Sequence, residues 1–453
     1  MLGNIEGWLL AVVLIAFVWL YLLIRIGPVA ALGAAVVLSF AFPVWIKIDI
    51  GGLPINIRTA IAVITMLGYV FHPKGKILSP LTLLDCCIAM MCICHVAADS
   101  FATGLTTALP FRAYGEWALP YVAGRFAIRD KQSLKWISPW VAGVLLLLGM
   151  MSCFESLTNV NPFEFVFGNR PTELAGRSAA RLGFKRAFGP TTHPIFFGMM
   201  MAVLMPWLAC MWQSFEPRRM HALNVLVGAV TFGGIVFTGS RTPVLTVLVA
   251  AVCALALRFR VLRWPLGLSL ALALAALAAF PNEITDALSR WSGGGDKPML
   301  IEIDGEAVVT SSSRSRLHVF GIYSDALVKA GPFGYGTQAT TGFPLRIPGM
   351  EGTFKSANLP EMVDNGYILL TLRFGWVGCA CLVILFLTAI STGLSLHFEH
   401  SDHLFPGVVA CLLVVVAGFS LLLVFMSYDF GLPLLWTIGV LSGLASARTG
   451  ERS

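Results

Sequence analysis

The sequence predicts an all-α polytopic membrane protein with one large polar insert. Three observations carry that expectation. Of its 453 residues, 57% are hydrophobic and 12% charged, a balance that soluble globular domains do not sustain. The apolar residues are gathered into runs of about twenty, the length at which a helix crosses a bilayer core. One long polar interval, 281–363, interrupts those runs late in the chain.

In chain order, spanning helices are expected near 8–24, 28–46, 57–72, 80–98, 115–128, 136–154, 193–213, 221–238, 242–257, 264–280, 366–391, 405–426 and 430–447. The fifth is short, so the count is twelve or thirteen. No basic residue precedes the run beginning at Trp8 and no small-residue cleavage site follows it. It reads as a retained helix and not a signal peptide. With no internal repeat and no hydrophilic linker, 1–453 is expected to be a single membrane-embedded domain.

The insert has local signals of its own. Asp304-Gly305 between Met299–Ile303 and Glu306–Thr310 predicts a hairpin, since Asp-Gly supplies the positive φ of a two-residue turn. Ser311–Ser313 can cap a helix opening at Arg314, which Gly331-Pro332 stops. Phe333-Gly-Tyr-Gly336 then reads as a flexible turn.

Orientation follows from the short basic loops. Lys74 and Lys76, the stretch Arg129 to Lys135, Arg218 with Arg219, and Arg258 to Arg263 alternate as cytoplasmic loops. That places 47–56, 99–114, 156–192 and 281–363 on the outer face, the periplasmic side if the host membrane is a bacterial inner membrane. The net charge of +7 fits basic cytoplasmic loops, and no pattern supports nucleic acid as a partner. The ten cysteines lie within apolar runs or at their edges, which argues against a disulfide framework. The Cys86 to His95 cluster reads as buried small hydrophobes in preference to a metal site.

One outer loop breaks the charge rule. Asn159 to His193 carries Arg170, Arg177, Arg181, Lys185 and Arg186 against Glu164 and Glu173. Cations on the translocated side serve either an anionic ligand, such as a phosphate or pyrophosphate, or lipid headgroups and acids of the large insert. Gly239-Ser240-Arg241 joins two apolar helices at the same boundary. Arg241 either snorkels to headgroups or, with the free N–H groups ahead of Pro243, forms a phosphate-binding corner. Arg314 and Arg316 open a predicted helix, where cations are mildly unfavourable unless an anion meets them or Glu302, Asp304 and Glu306 pair with them. Asp364-Asn365 stands where the insert re-enters the membrane, as a helix cap or as a proton acceptor. No Walker loop, His-Glu-x-x-His, Gly-x-Ser-x-Gly or Asp-x-Asp pattern is present.

Four local patterns, spread over positions 180 to 380, give the chain a resemblance. They are Phe188-Gly-Pro-Thr-Thr-His-Pro-Ile-Phe-Phe-Gly198, Phe237-Thr-Gly-Ser-Arg241, Ser313-Arg-Ser-Arg316 with Pro332-Phe-Gly-Tyr-Gly336, and Asp364-Asn365-Gly-Tyr running to Gly378. In their order and placement the chain resembles the O-antigen ligases, O-antigen polymerases and exopolysaccharide polymerases. The resemblance implies transfer of a glycan from a polyprenyl pyrophosphate donor to a glycan acceptor at the membrane's outer face. It maps the family's arginine after Gly-Ser onto Arg241 and its large-loop arginine onto Arg314 or Arg316. Arg186, Lys185 and His193 are expected to join them around the pyrophosphate. Asp364 is the expected base, with His318 or Glu361 behind it. No cofactor or metal is expected. Partners are membrane lipid and, in the same pathway, a flippase or chain-length regulator. Ligases usually have His-Asn where this chain has Asp364-Asn365, which favours a polymerase over a ligase acting on lipid A core or protein. A transporter is the rival of another class, with Asp85, His95, Glu116 and Arg125 as its intramembrane candidates.

Overall fold

The computed structural model describes residues 2–25, 27–50, 53–57, 60–61, 63, 80–128, 130–168, 180, 183–214, 218–280, 283, 299–303, 306–310, 323–324, 326–337, 365–399, 404–420 and 431–452. Helices dominate them. They are α1 (Leu2–Arg25), α2 (Pro28–Ser39), α3 (Leu83–Thr103), α4 (Ala108–Ala113) continuing through a π turn (Tyr114–Ala118) into α5 (Leu119–Ala127), α6 (Lys131–Thr158) and α7 (Pro162–Phe167). After them come α8 (Pro194–Leu204), α9 (Pro206–Ser214), α10 (Arg218–Phe237), α11 (Arg241–Arg258), α12 (Arg263–Ala279), α13 (Gly366–Glu399), α14 (Leu404–Phe419) and α15 (Gly431–Arg452).

Every expected span outside 57–72 holds helix. The run 57–72 itself lies largely outside the described residues. Among the described residues, six helices are long and apolar enough to cross a membrane, and Val12–Tyr21, Leu404–Phe419 and Gly431–Ala447 are shorter apolar helices. The outer faces stay apolar, as at Phe17, Leu268 and Leu272, which suits contact with lipid. This is a multi-pass membrane protein of the all-α class.

Local chemistry sets the helix ends. Thr82 and Asp85 form a capping box at the start of α3. Asp130 accepts from Ser133 N–H to open α6, and Asn159 closes it in the left-handed region at φ 64°. Asn161 and His193 cap α7 and α8, each followed by proline at the first helical position.

Two hairpins interrupt the helices. The expected one is present: β3 (Met299–Ile303) pairs antiparallel with β4 (Glu306–Thr310), Ile303 facing Glu306 across a two-residue link. The other lies in 47–56, a stretch to which the sequence reading assigned a face but no local structure. There β1 (Lys47–Ile50) pairs with β2 (Leu53–Asn56), Ile50 facing Leu53 across Gly51-Gly52. A two-residue Gly-Gly link is itself a hairpin signal.

The tightest helix contact lies between α5 and α15. A Cβ added at Gly439 would fall 2.0 Å from the Tyr121 carbonyl oxygen, and one at Gly443 would fall 2.3 Å from that of Ile128. Gly124 meets the Trp436 carbonyl just as closely from the other side. Small residues let the backbones approach, which is how membrane helices gain packing without a hydrophobic drive between them. Gly443→Val is expected to cost more than about 2 kcal/mol, because a backbone carbonyl cannot rotate away as a side chain can. Thermal unfolding in detergent checks this as a lowered midpoint.

A buried polar clasp ties α5 to the start of α3. Arg125 Nη1 lies 2.5 Å from Asp85 Oδ1 and its Nη2 donates to Pro80 O at 2.8 Å. Tyr121 Oη donates to Asp85 at 2.7 Å. Two of the four residues named for a transport path thus hold each other in place.

Candidate functional site

The first half of the site is a loop laid over a turn. Residues 183–193 run across the α10–α11 connection, with Ala187 N donating to Phe237 O at 3.1 Å. Arg186 is only 7% exposed. Its Nε donates to Thr238 O at 3.0 Å and its Nη2 to Ser240 Oγ at 2.8 Å. The expected pyrophosphate ligand Arg186 therefore braces the turn that presents Arg241. Lys185 Nζ reaches the Asn159 carbonyl at 2.8 Å, and Ser156 Oγ donates to Lys185 O at 2.6 Å.

A residue that sequence reasoning missed holds this loop. Glu155, near the end of α6, is 1% exposed. Its Oε2 accepts from Phe188 N at 3.0 Å and Gly189 N at 2.8 Å, and its Oε1 accepts from Asn161 Nδ2 at 3.0 Å. Three donors compensate the burial of a carboxylate. Gly189, at φ 54°, also leaves room for the Phe197 ring, 2.4 Å from where its Cβ would sit. The sequence signal was slight: a lone acid at the end of an apolar run.

Arg241 is the first residue of α11, half-buried, with Ser240 at the cap position. A cation in a first turn opposes the helix dipole, so an anion brought there gains from both the guanidinium and the free N–H groups. His193 caps α8 through ring Nδ1, which accepts from Ile195 N at 3.2 Å. Its other nitrogen then carries the proton. Thus Arg186 and Arg241 share one turn, and Lys185 and His193 lie on the loop laid over it; the first two patterns supply His193 and Arg241, while Lys185 and Arg186 stand just ahead of the first.

The second half is a strap on a broken helix. At Gly375 (φ 69°, ψ −171°) α13 loses its helical path. A break inside a membrane helix leaves carbonyls and N–H groups without partners. Residues 331–336 supply them. Tyr335 N donates to Leu372 O at 2.7 Å and Gly336 N to Arg373 O at 2.9 Å. Trp376 N donates to Gly331 O at 3.0 Å and Val377 N to Pro332 O at 3.3 Å. Gly334 and Gly375 lie back to back, each where the other's chain would meet a Cβ. The expected flexible turn is instead fixed, and it joins the third and fourth patterns.

Asn365 settles the question of the cap. It is 1% exposed, and its Oδ1 accepts from Tyr367 N and Ile368 N, both at 3.0 Å. Asp364, Arg314, Arg316, His318 and Glu361 lie outside the described residues. Of the predicted helix of the insert, residues 323–324 and 326–330 are helical, and it ends before Gly331 as expected. Among the described residues, no group of three or more His, Cys, Asp or Glu side chains is placed to hold a metal ion.

The corner and the strap sit at one end of the bundle by chain alternation. α11 leaves the corner, α12 returns, the insert follows, and α13 starts from that same end. Together they define a multi-pass membrane protein with a cation-bearing polar end. Residues 226–383 match the family model described as O-Antigen ligase. The match runs from α10 through the Arg241 turn and the insert to beyond Gly375. It supports the O-antigen ligase and polymerase family, and with it a membrane glycosyltransferase of ligase or polymerase type. No curated protein matches the chain.

Proposed function

We propose that this protein polymerises lipid-linked oligosaccharide repeat units of O-antigen or exopolysaccharide at the periplasmic face of a bacterial inner membrane. The observation that carries the reading is the corner: a cation-rich loop held on the Phe237–Arg241 turn, at the end of the bundle that also receives the insert. Arg241, Arg314 and Arg316, with Lys185 and His193 around them and Arg186 bracing the turn beneath, hold the pyrophosphate of a polyprenyl donor. As the leaving oxygen gains charge, preorganised cations stabilise it more in a partly dry site than water would.

The step is a single displacement. The acceptor hydroxyl oxygen bonds to the anomeric carbon while the bond from that carbon to the pyrophosphate oxygen breaks. The hydroxyl proton passes to Asp364, and polyprenyl pyrophosphate departs. Attack opposite the leaving group inverts the linkage. No metal is needed in this scheme, since the arginines carry the positive charge. A flippase would deliver the donor, and a chain-length regulator would act on the product.

Ligation to lipid A core or protein is the second reading, favoured by the description of the matched family. Asp364, where the ligases usually have histidine, favours polymerisation. Incubated with purified lipid-linked repeat units alone, the protein is expected to give a ladder of products spaced by one repeat. No product without a separate core or protein acceptor, and one addition with it, would make it a ligase.

A further inference from the structure

The strap is itself tied down by a buried residue near the end of α3. Thr337, directly after the strap, donates its N–H to Asp99 Oδ1 at 2.5 Å and its hydroxyl to Asp99 Oδ2 at 2.8 Å. His95 Nε2 lies 3.4 Å from the same Oδ2. Trp117 Nε1 donates to His95 Nδ1 at 3.2 Å, which leaves the ring proton on the nitrogen that faces Asp99. Glu116 Oε2 stands 3.6 Å from that Nδ1, on the π turn. The His95 ring also lies 5.1 Å from the ring of Phe374, the residue before the break.

Burial makes this arrangement costly to keep without a purpose. His95 is 0% and Asp99 3% exposed. Ionisable side chains inside membrane helices are expensive and mark function more often than packing. Gly336, at φ 80°, adds a second constraint: a Cβ there would sit 2.8 Å from Asp99 Oδ1. Only glycine lets Asp99 come so close to the strap.

We propose that Asp99, oriented by His95 and Trp117, is a positioning residue for the transfer reaction. The proposal rests on the glycosyltransferase reading. Through Thr337 it fixes the strap, and through four backbone hydrogen bonds the strap fixes the break at Gly375. The break sets the direction of the half-helix Gly366–Phe374, whose cap Asn365 directly follows Asp364. Asp99 thus acts on the reacting groups through three rigid links.

The test uses the full-length protein in detergent or bilayer, with kcat and KM for the lipid-linked donor and hydrogen exchange at the Trp376 and Val377 amides. Asp99→Ala is expected to lower kcat by about 10- to 100-fold, the scale of a small misplacement of reacting groups. KM should change less than about twofold, and both amides should exchange faster. Thr337→Ser retains both donors and should behave as wild type, whereas Thr337→Val loses one and should fall between. Wild-type kcat or wild-type exchange in Asp99→Ala overturns the proposal. If that variant does not accumulate, equal kcat in Thr337→Ser and Thr337→Val overturns it instead. Absence of transfer by the unmodified protein would overturn the functional reading, while the exchange result still decides whether Asp99 holds the strap.

Discussion

Arg241→Lys is expected to cut glycan transfer by roughly 10²–10³-fold while the protein accumulates normally, by analogy with the loss of one preorganised donor at a developing oxyanion. Lysine keeps the charge, so attraction of an anionic carrier to the membrane end should survive. It loses the planar fork that can hold two phosphate oxygens at once. The fold should tolerate the change, because the variant keeps the bonds from Arg186 and the Ala187–Phe237 hydrogen bond that hold the turn. Turnover by purified protein is the readout, with Arg314→Lys assayed beside it. Full activity in both variants would assign these arginines to ordinary headgroup contacts.

Asp364→Asn is expected to lose about 10²–10⁴-fold in turnover, the usual worth of a positioned base. The structure sharpens this experiment. Either member of Asp364-Asn365 could cap α13 on propensity alone, but the cap is Asn365, with Oδ1 bonded to two amides. Loss of activity at position 364 therefore cannot be assigned to the cap. Asp364→His should restore part of the activity if aspartate stands in the ligases' histidine position. Near-normal turnover by the asparagine variant would move the search for the base to His318 or Glu361.

The spans and the β3–β4 hairpin were legible because their signals are local. Apolar runs of the right length, and Asp-Gly between two β-prone stretches, require no knowledge of neighbours. The two halves of the site were legible only as fragments. Nothing in Phe188-Gly-Pro says that the amides of Phe188 and Gly189 meet Glu155, 33 and 34 residues earlier, and nothing in Tyr335-Gly336 says that α13 breaks to receive it. Gly375 looked like one more glycine in a spanning helix, and Gly334 like a loose turn. Each is explained by the other, since two backbones in contact demand that neither carry a Cβ. Asp99 was invisible for the same reason: its partner Thr337 lies 238 positions away. Among the residues weighed for transport, Asp85 and Arg125 turned out to pair with each other. His95 and Glu116 lie beside Asp99, in the group that anchors the strap.

The central claim is covalent transfer and not transport. Its most direct test is reconstitution of the purified protein with a lipid-linked repeat unit labelled in both sugar and polyprenyl pyrophosphate. The account predicts one polyprenyl pyrophosphate released for each new glycosidic bond, with release and bond formation lost together in Arg241→Lys. Movement of intact labelled donor across the bilayer, with no carrier released and no bond formed, would contradict it.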